Sequence, residues 1–138
     1  MNFGRRERQE FIDYILEQQL ANRSDVYPVD VQWVRTFAEA SYDRAYTPEG
    51  VVRQLQAMLG DLGSSFADAA RLTMPVVRIH GLDDVNVHPS GSLELARRIP
   101  HAELHLYPGM KHALVEPLWK EFCDIVVRTA RRADRERA

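Results

Sequence analysis

The chain has 138 residues, 45% of them hydrophobic, which is enough for a globular core. Its formal net charge of -2 gives no electrostatic reason to expect nucleic acid or an anionic membrane as a partner. No apolar run approaches the length of a bilayer span, and no apolar stretch follows the charged N-terminus. We therefore expect a cytoplasmic protein, neither secreted nor membrane-bound.

The first half of the sequence is predicted to be helical. Apolar residues recur at three- and four-residue steps from about Arg6 to Ala21, which predicts an amphipathic helix. Asp30 is the predicted N-cap of a second helix, and Thr47-Pro48 marks the start of a third. A fourth, short helix is predicted from Ser65 to Leu72. Large aromatic side chains in this half could line an apolar pocket, but their helical spacing favours ordinary packing between helices; they are Phe11, Tyr14, Trp33, Phe37 and Tyr42.

The second half is predicted to contain a βαβ unit. Apolar runs from Pro75 to Ile79 and from Ala102 to Tyr107 are typical of strands, and the segment between them has helical periodicity. Strands joined in this way are parallel, so the loops that follow them emerge at the same edge of the sheet. The first loop carries Asp83 and Asp84, and the second carries His112. Ligands bind at this edge in open α/β sheets.

A last helix is predicted to start near Pro117 and to cover the sheet with an apolar face. Cys123 lies between Phe122 and Ile125 in this helix, and we expect it to be a small buried hydrophobe. As the only cysteine, it also excludes an internal disulfide. The arginine-rich end of the helix is predicted to be a solvated face, because a helix C-terminus favours cations.

Two short motifs resemble the C-terminal third of an α/β-hydrolase: Gly-Leu-Asp-Asp at 81–84 and Pro-Gly-Met-Lys-His at 108–112. The triad of that family runs Ser, Asp, His along the chain, so the resemblance implies Asp84 as the acid and His112 as the base. The G-x-x-D spacing favours Asp84, and Asp83 is the alternative, otherwise a turn residue. Such a pair serves nucleophilic acyl transfer, since the histidine takes a hydroxyl proton and the carboxylate orients the histidine.

The nucleophile motif of the family, G-x-S-x-G between a strand and a helix, is absent from the sequence. Neither Gly63-Ser64-Ser65 nor Ser90-Gly91-Ser92 fits it. The resemblance thus implies an α/β protein with a partial α/β-hydrolase fold. Residues 1–72 would be a helical cap segment, and residues 73–138 would be the βαβα part of the hydrolase core.

We expect the C-terminal fragment of a serine hydrolase for ester or similar acyl substrates, inactive by itself because it lacks the nucleophile half. A small acyl substrate is expected only if another polypeptide supplies the serine. The alternative is a non-catalytic interaction or dimerisation module, because an open edge on the first strand tends to pair with another chain. A weaker alternative is a chain without a retained role. No cofactor or metal is expected, since metal-ligand spacing and Gly-rich phosphate loops are absent.

Overall fold

The computed structural model describes residues 6–60 and 68–137 and is rich in helix, with a two-stranded parallel sheet. The described chain forms two compact units. One unit contains residues 6–22 and 29–60, and the other contains residues 23–28 and 68–137. Across these residues, no helix is long and apolar enough to cross a membrane.

The first unit consists of three helices, α1 (Arg8–Ala21), α2 (Val31–Ala45) and α3 (Pro48–Gly60). The predicted N-cap of α2 is confirmed, because the Asp30 carboxylate accepts hydrogen bonds from the backbone N–H groups of the residues two and three positions later, at 2.8 and 3.0 Å. Helices α1 and α2 pack through the apolar faces that their periodicity predicts. The buried residues of this core are Ile12, Leu16, Val34 and Ala38.

The aromatic residues of the first unit divide into two groups. Phe11 of α1 packs against Tyr42 and Tyr46, with ring centroids 5.5 and 5.1 Å apart, which is ordinary packing between helices. Trp33 and Phe37 stack on each other along α2, with ring centroids 5.3 Å apart, and both are exposed. Helix α3 also leaves three large apolar side chains exposed: Val51, Met58 and Leu59.

The second unit contains β1 (Val77–Gly81), α4 (Ser90–Arg98), β2 (Glu103–Tyr107), a 3-10 turn (Glu116–Leu118) and α5 (Trp119–Arg137). The predicted parallel pairing is confirmed, with a register that runs from Val77 opposite Glu103 to Gly81 opposite Tyr107. The predicted helix start at Ser65 lies outside the described residues, and positions 68–69 are helical before a turn.

Helix α5 covers one face of the sheet, as its periodicity predicts. Phe122 packs with Met110 and Val115, and Ile79 of β1 and Tyr107 of β2 lie against this cluster. The expectation that Cys123 is buried is wrong, because it is exposed. Its neighbours Phe122 and Ile125 are three positions apart and face the core, so the residue directly after Phe122 lies off that apolar stripe.

The arginine-rich end of α5 is not wholly solvated. Arg128 Nη2 lies 2.9 Å from Glu103 Oε2, and Arg132 Nη1 lies 2.7 Å from Glu103 Oε1. The hydrogen bond from Arg128 is the main reason that the pKa of Glu103 is lowered. The two arginines therefore fasten the middle of α5 to the first residue of β2.

Candidate active site

The loops after β1 and β2 are tied together by their backbones. Leu82 N–H donates to the Tyr107 carbonyl at 3.0 Å, and Asp83 N–H donates to the Met110 carbonyl at 3.1 Å. Gly81 permits this close approach, because a Cβ at this position would lie 2.0 Å from the Met110 carbonyl oxygen. The first residue of the Gly-Leu-Asp-Asp motif must therefore be glycine, because any side chain would overlap the Met110 backbone.

The Pro-Gly turn after β2 is held from a distant part of the chain. Gly109 has φ +78°, a conformation that favours glycine, and Val26 packs closely against it. Ser24 Oγ donates a hydrogen bond of 2.5 Å to the Gly109 carbonyl. The same Oγ accepts the backbone N–H groups of Val26 and Tyr27, at 3.0 and 2.9 Å. Residues 23–28 thus brace the turn that precedes His112.

Asp84 and His112 meet in the structure. Asp84 Oδ2 lies 2.9 Å from His112 Nδ1, and Asp84 is only 5% exposed. Its other oxygen, Oδ1, accepts the backbone N–H groups of Asn86 and Val87, both at 2.9 Å. Burial by itself would raise the pKa of Asp84, but the Val87 N–H, the His112 ring and the Asn86 N–H outweigh it and hold the pKa below 3.8. The carboxylate is therefore ionised at neutral pH.

The imidazole of His112 is oriented on one side and open on the other. A carboxylate can only accept, so Nδ1–H of the neutral ring donates to Asp84 and the lone pair lies on Nε2. The side chain is 55% exposed, and no residue in the described ranges bonds to its Nε2. A ring held in this way can take a proton at Nε2 from a hydroxyl group brought to it.

The alternative acid, Asp83, does not reach the imidazole through its side chain. It is exposed, and its backbone N–H bonds to the Met110 carbonyl. The geometry therefore favours Asp84 over Asp83 as the partner of His112.

The comparison with protein families agrees with the residue motifs. Residues 19–117, more than two thirds of the chain, match the family described as "Serine aminopeptidase, S33", which is a family of α/β-hydrolases. The chain belongs to this family. The resemblance to α/β-hydrolases seen in the sequence is thus confirmed, and the match includes both Asp84 and His112. A search of curated proteins finds no match.

The serines that the structure describes in the second unit of this α/β-hydrolase all have other partners. Ser92 is fully buried between Arg78 and His80, Ser90 bonds to His88 at 2.8 Å, and Ser24 bonds to the Pro-Gly turn. No hydrogen bond from these serines reaches His112. The segment Gly63-Ser64-Ser65 lies outside the described residues.

The α/β-hydrolase also buries a second histidine, His80, beside the acid, and neither of the two sequence motifs includes it. His80 Nε2 lies 2.8 Å from the Val87 carbonyl oxygen and 3.4 Å from Asp84 Oδ2. One feature of the sequence pointed to His80: Arg78 and His80 are two apart in β1, so both side chains lie on the same face of the sheet. The sequence did not show that Ser92 of α4 packs against His80, because helical periodicity does not tell which residue of α4 faces β1.

A cavity of about 250 Å³ opens beside the Asp84–His112 pair. Its lining combines polar and apolar side chains and includes Arg78, Met110, Lys111 and Leu114 as well as the pair. Over residues 6–60 and 68–137, no group of three or more His, Cys, Asp or Glu side chains is arranged to hold a metal ion.

Proposed function

We propose that this chain supplies the acid and the base of a serine hydrolase that acts on esters or similar acyl substrates. The observation that carries the proposal is the 2.9 Å contact between the buried, ionised Asp84 and the exposed ring of His112. The family description names an aminopeptidase. Amide and ester hydrolysis both proceed by acyl transfer, so the same acid and base suit either substrate.

In the proposed reaction, the oxygen of a serine hydroxyl attacks the acyl carbon while His112 Nε2 takes the hydroxyl proton. Asp84 stabilises the imidazolium that forms, and His112 then returns the proton to the leaving alcohol or amine. Water repeats the cycle on the acyl-enzyme and releases the acid. The sequence contains no G-x-S-x-G, so the serine and the oxyanion-hole donors would come from residues beyond these 138. The 138 residues alone are expected to be inactive.

We propose that the helical first unit is the end of a cap segment. The sequence assigns residues 1–72 to that segment. The exposed Trp33 and Phe37 and the exposed apolar face of α3 support this role. Side chains of this kind form the apolar lining of acyl-binding pockets.

The test is hydrolysis of p-nitrophenyl acetate by the chain alone and by the chain mixed with a polypeptide that carries the G-x-S-x-G half of a related hydrolase. We expect turnover only in the mixture. His112→Ala should reduce it by a factor on the order of 10⁴ or more, because members of a triad act as a unit. His88→Ala is the matched control, since His88 is exposed and bonds to Ser90. Activity that survives His112→Ala would overturn the proposal.

A second candidate function is self-association through the edge of β1. Within the described residues, β2 is the only strand paired with β1. An apolar groove runs beside β1, lined by side chains that include Ile79, Leu114 and Val126. An open strand edge next to apolar side chains is a template for strand addition, and a second copy of the chain offers the same edge. We therefore propose a symmetric dimer as the occupant.

Sedimentation equilibrium distinguishes this second candidate from a monomeric chain. Val126→Glu places a charge in the groove at a side chain that is already 54% exposed, so it should weaken the dimer at least tenfold without unfolding the chain. Val85→Glu is the control, because Val85 is 82% exposed and lies outside the groove lining. A monomer at all concentrations, or equal effects of the two variants, would exclude the dimer.

A further inference from the structure

We propose that His80 is a positioning residue that holds Asp84 in place, and that Ser92, itself bound by Arg78, stabilises the ring tautomer that the Val87 carbonyl requires. This inference rests on the proposed function only in that Asp84 is the acid of the pair. The three side chains form a hydrogen-bonded row from β1 across to α4 and back to the Asp84 loop.

The direction of each hydrogen bond follows from what each group can donate. Arg78 Nε can only donate, and it lies 2.9 Å from Ser92 Oγ. Ser92 Oγ also contacts Nδ1 of His80 and has a single proton. Oγ has two lone pairs, so after accepting from Arg78 it can still either donate to Nδ1 or accept from it. The direction of this bond is therefore set by the other ring nitrogen of His80.

The bond from the other ring nitrogen, Nε2, decides the tautomer of His80. A carbonyl oxygen can only accept, and that of Val87 lies 2.8 Å from His80 Nε2. The proton of the neutral ring is therefore on Nε2, which leaves Nδ1 to accept the proton of Ser92. Nε2 also faces Asp84 Oδ2 at 3.4 Å, the oxygen that binds His112. The Val87 carbonyl thus assigns the tautomer, and the Ser92 hydroxyl stabilises it.

The row closes the loop around the acid. The backbone N–H of Val87 donates to Asp84 Oδ1, and the backbone carbonyl of Val87 accepts from His80. His80 therefore fixes the residue whose N–H binds the carboxylate. Ser92 is 0% exposed and His80 is 6% exposed. Water cannot easily replace a bond lost here, so a break in the row leaves buried polar groups unpaired. Asp84 would then shift away from His112.

The tautomers can be read directly by NMR, from two-bond couplings between ring nitrogens and ring carbon-bound protons in the intact chain. We expect the Nε2–H form for His80 and the Nδ1–H form for His112. The amide of His80→Gln places a donor near the position of Nε2, whereas His80→Asn reaches only the position of Nδ1. His80→Gln should therefore keep the Nδ1–H form of His112, and His80→Asn should lose it in favour of the Nε2–H form.

The serine of the row provides a second, independent test. Ser92→Ala removes the donor to Nδ1 of His80 and leaves that buried nitrogen unpaired, so we expect the Nε2–H form of His80 to lose part of its population. Ser90→Ala is the matched control, because it removes an exposed Ser–His contact, to His88, and should leave His80 and His112 unchanged. Thermal unfolding of each variant identifies any variant that does not fold. If His80→Asn does not fold, the tautomers of His80 and His112 in Ser92→Ala decide whether this row of side chains positions Asp84.

A proton on Nδ1 of His80 in the unaltered chain would overturn the proposal, as would an unchanged His112 tautomer in folded His80→Asn. These outcomes are separate from the fate of the hydrolase function. If the tautomers behave as expected but the complemented chain hydrolyses no ester, the hydrolase proposal fails and the positioning of Asp84 by His80 stands.

Discussion

Replacing Gly81 with alanine tests how the two loops hold the candidate site together. A Cβ at position 81 would lie 2.0 Å from the carbonyl oxygen of Met110 and 2.4 Å from that of Lys111. Both are backbone atoms, so no change of rotamer relieves the overlap. Real Cβ contacts essentially never fall under 3.0 Å, so the segment that leads to His112 must move by about 1 Å.

A displacement of this size is enough to separate the site. The contact from Asp84 Oδ2 to His112 Nδ1 would lengthen from 2.9 Å to nearly 4 Å, beyond hydrogen-bond distance. The Asp83 N–H bond to the Met110 carbonyl would be lost as well. Overpacking costs about 1–3 kcal/mol and each of the two lost hydrogen bonds about 1 kcal/mol, so we expect Gly81→Ala to lower the free energy of unfolding by about 3–5 kcal/mol.

Circular dichroism during heating measures this loss, which should appear as a Tm about 12–40 °C lower for a unit of this size, at about 4–8 °C per kcal/mol. The NMR tautomer of His112 reports whether its bond to Asp84 is broken. Gly91→Ala is the control, because a Cβ there meets no atom within 4 Å and alanine is favoured in a helix by about 1 kcal/mol. If Gly81→Ala melts within about 2 °C of the unaltered chain and keeps the Nδ1–H form of His112, the reasoning is refuted.

Three further substitutions address other contacts of the second unit. Folding lowers the pKa of Asp84 below its usual value of 3.8, so the ionised Asp84 stabilises the protein above that pH, and this stabilisation is lost as the pH falls through the folded pKa. Asp84→Asn should therefore flatten the fall of Tm in acid. Plots of Tm against pH that run parallel for the variant and the unaltered chain would contradict this. Burial and the 2.7 Å bond to Glu121 raise the pKa of Tyr107 to about 12. An absorbance titration of the tyrosines should therefore show a last step near that pH, which Tyr107→Phe should remove and substitution of any other tyrosine should leave in place. Ser24→Ala removes the 2.5 Å bond to the Gly109 carbonyl and should cost about 1–3 kcal/mol in urea unfolding; no change would show that the turn does not need this brace.

Several features of the protein were predictable from short stretches of sequence. The Asp30 cap, the start of α3 at Pro48 and the apolar faces of α1 and α2 depend on residues within a few positions of one another. The parallel direction of β1 and β2 follows from the helical segment between them, and it places the loops with Asp84 and His112 at one edge. These features have a local cause, so the sequence alone determined them. The catalytic roles of the two residues remain a prediction.

Other features depend on which distant segments come together, and only the tertiary structure decided them. Ser24 reaches Gly109 across 85 positions of the chain, and Ser92 completes the row that holds His80. Cys123 is exposed although Phe122 and Ile125 are buried, because it lies off their apolar stripe and the described structure packs the sheet against that stripe alone. Periodicity identifies an apolar stripe, but it does not determine which element packs on it or which polar groups are buried together.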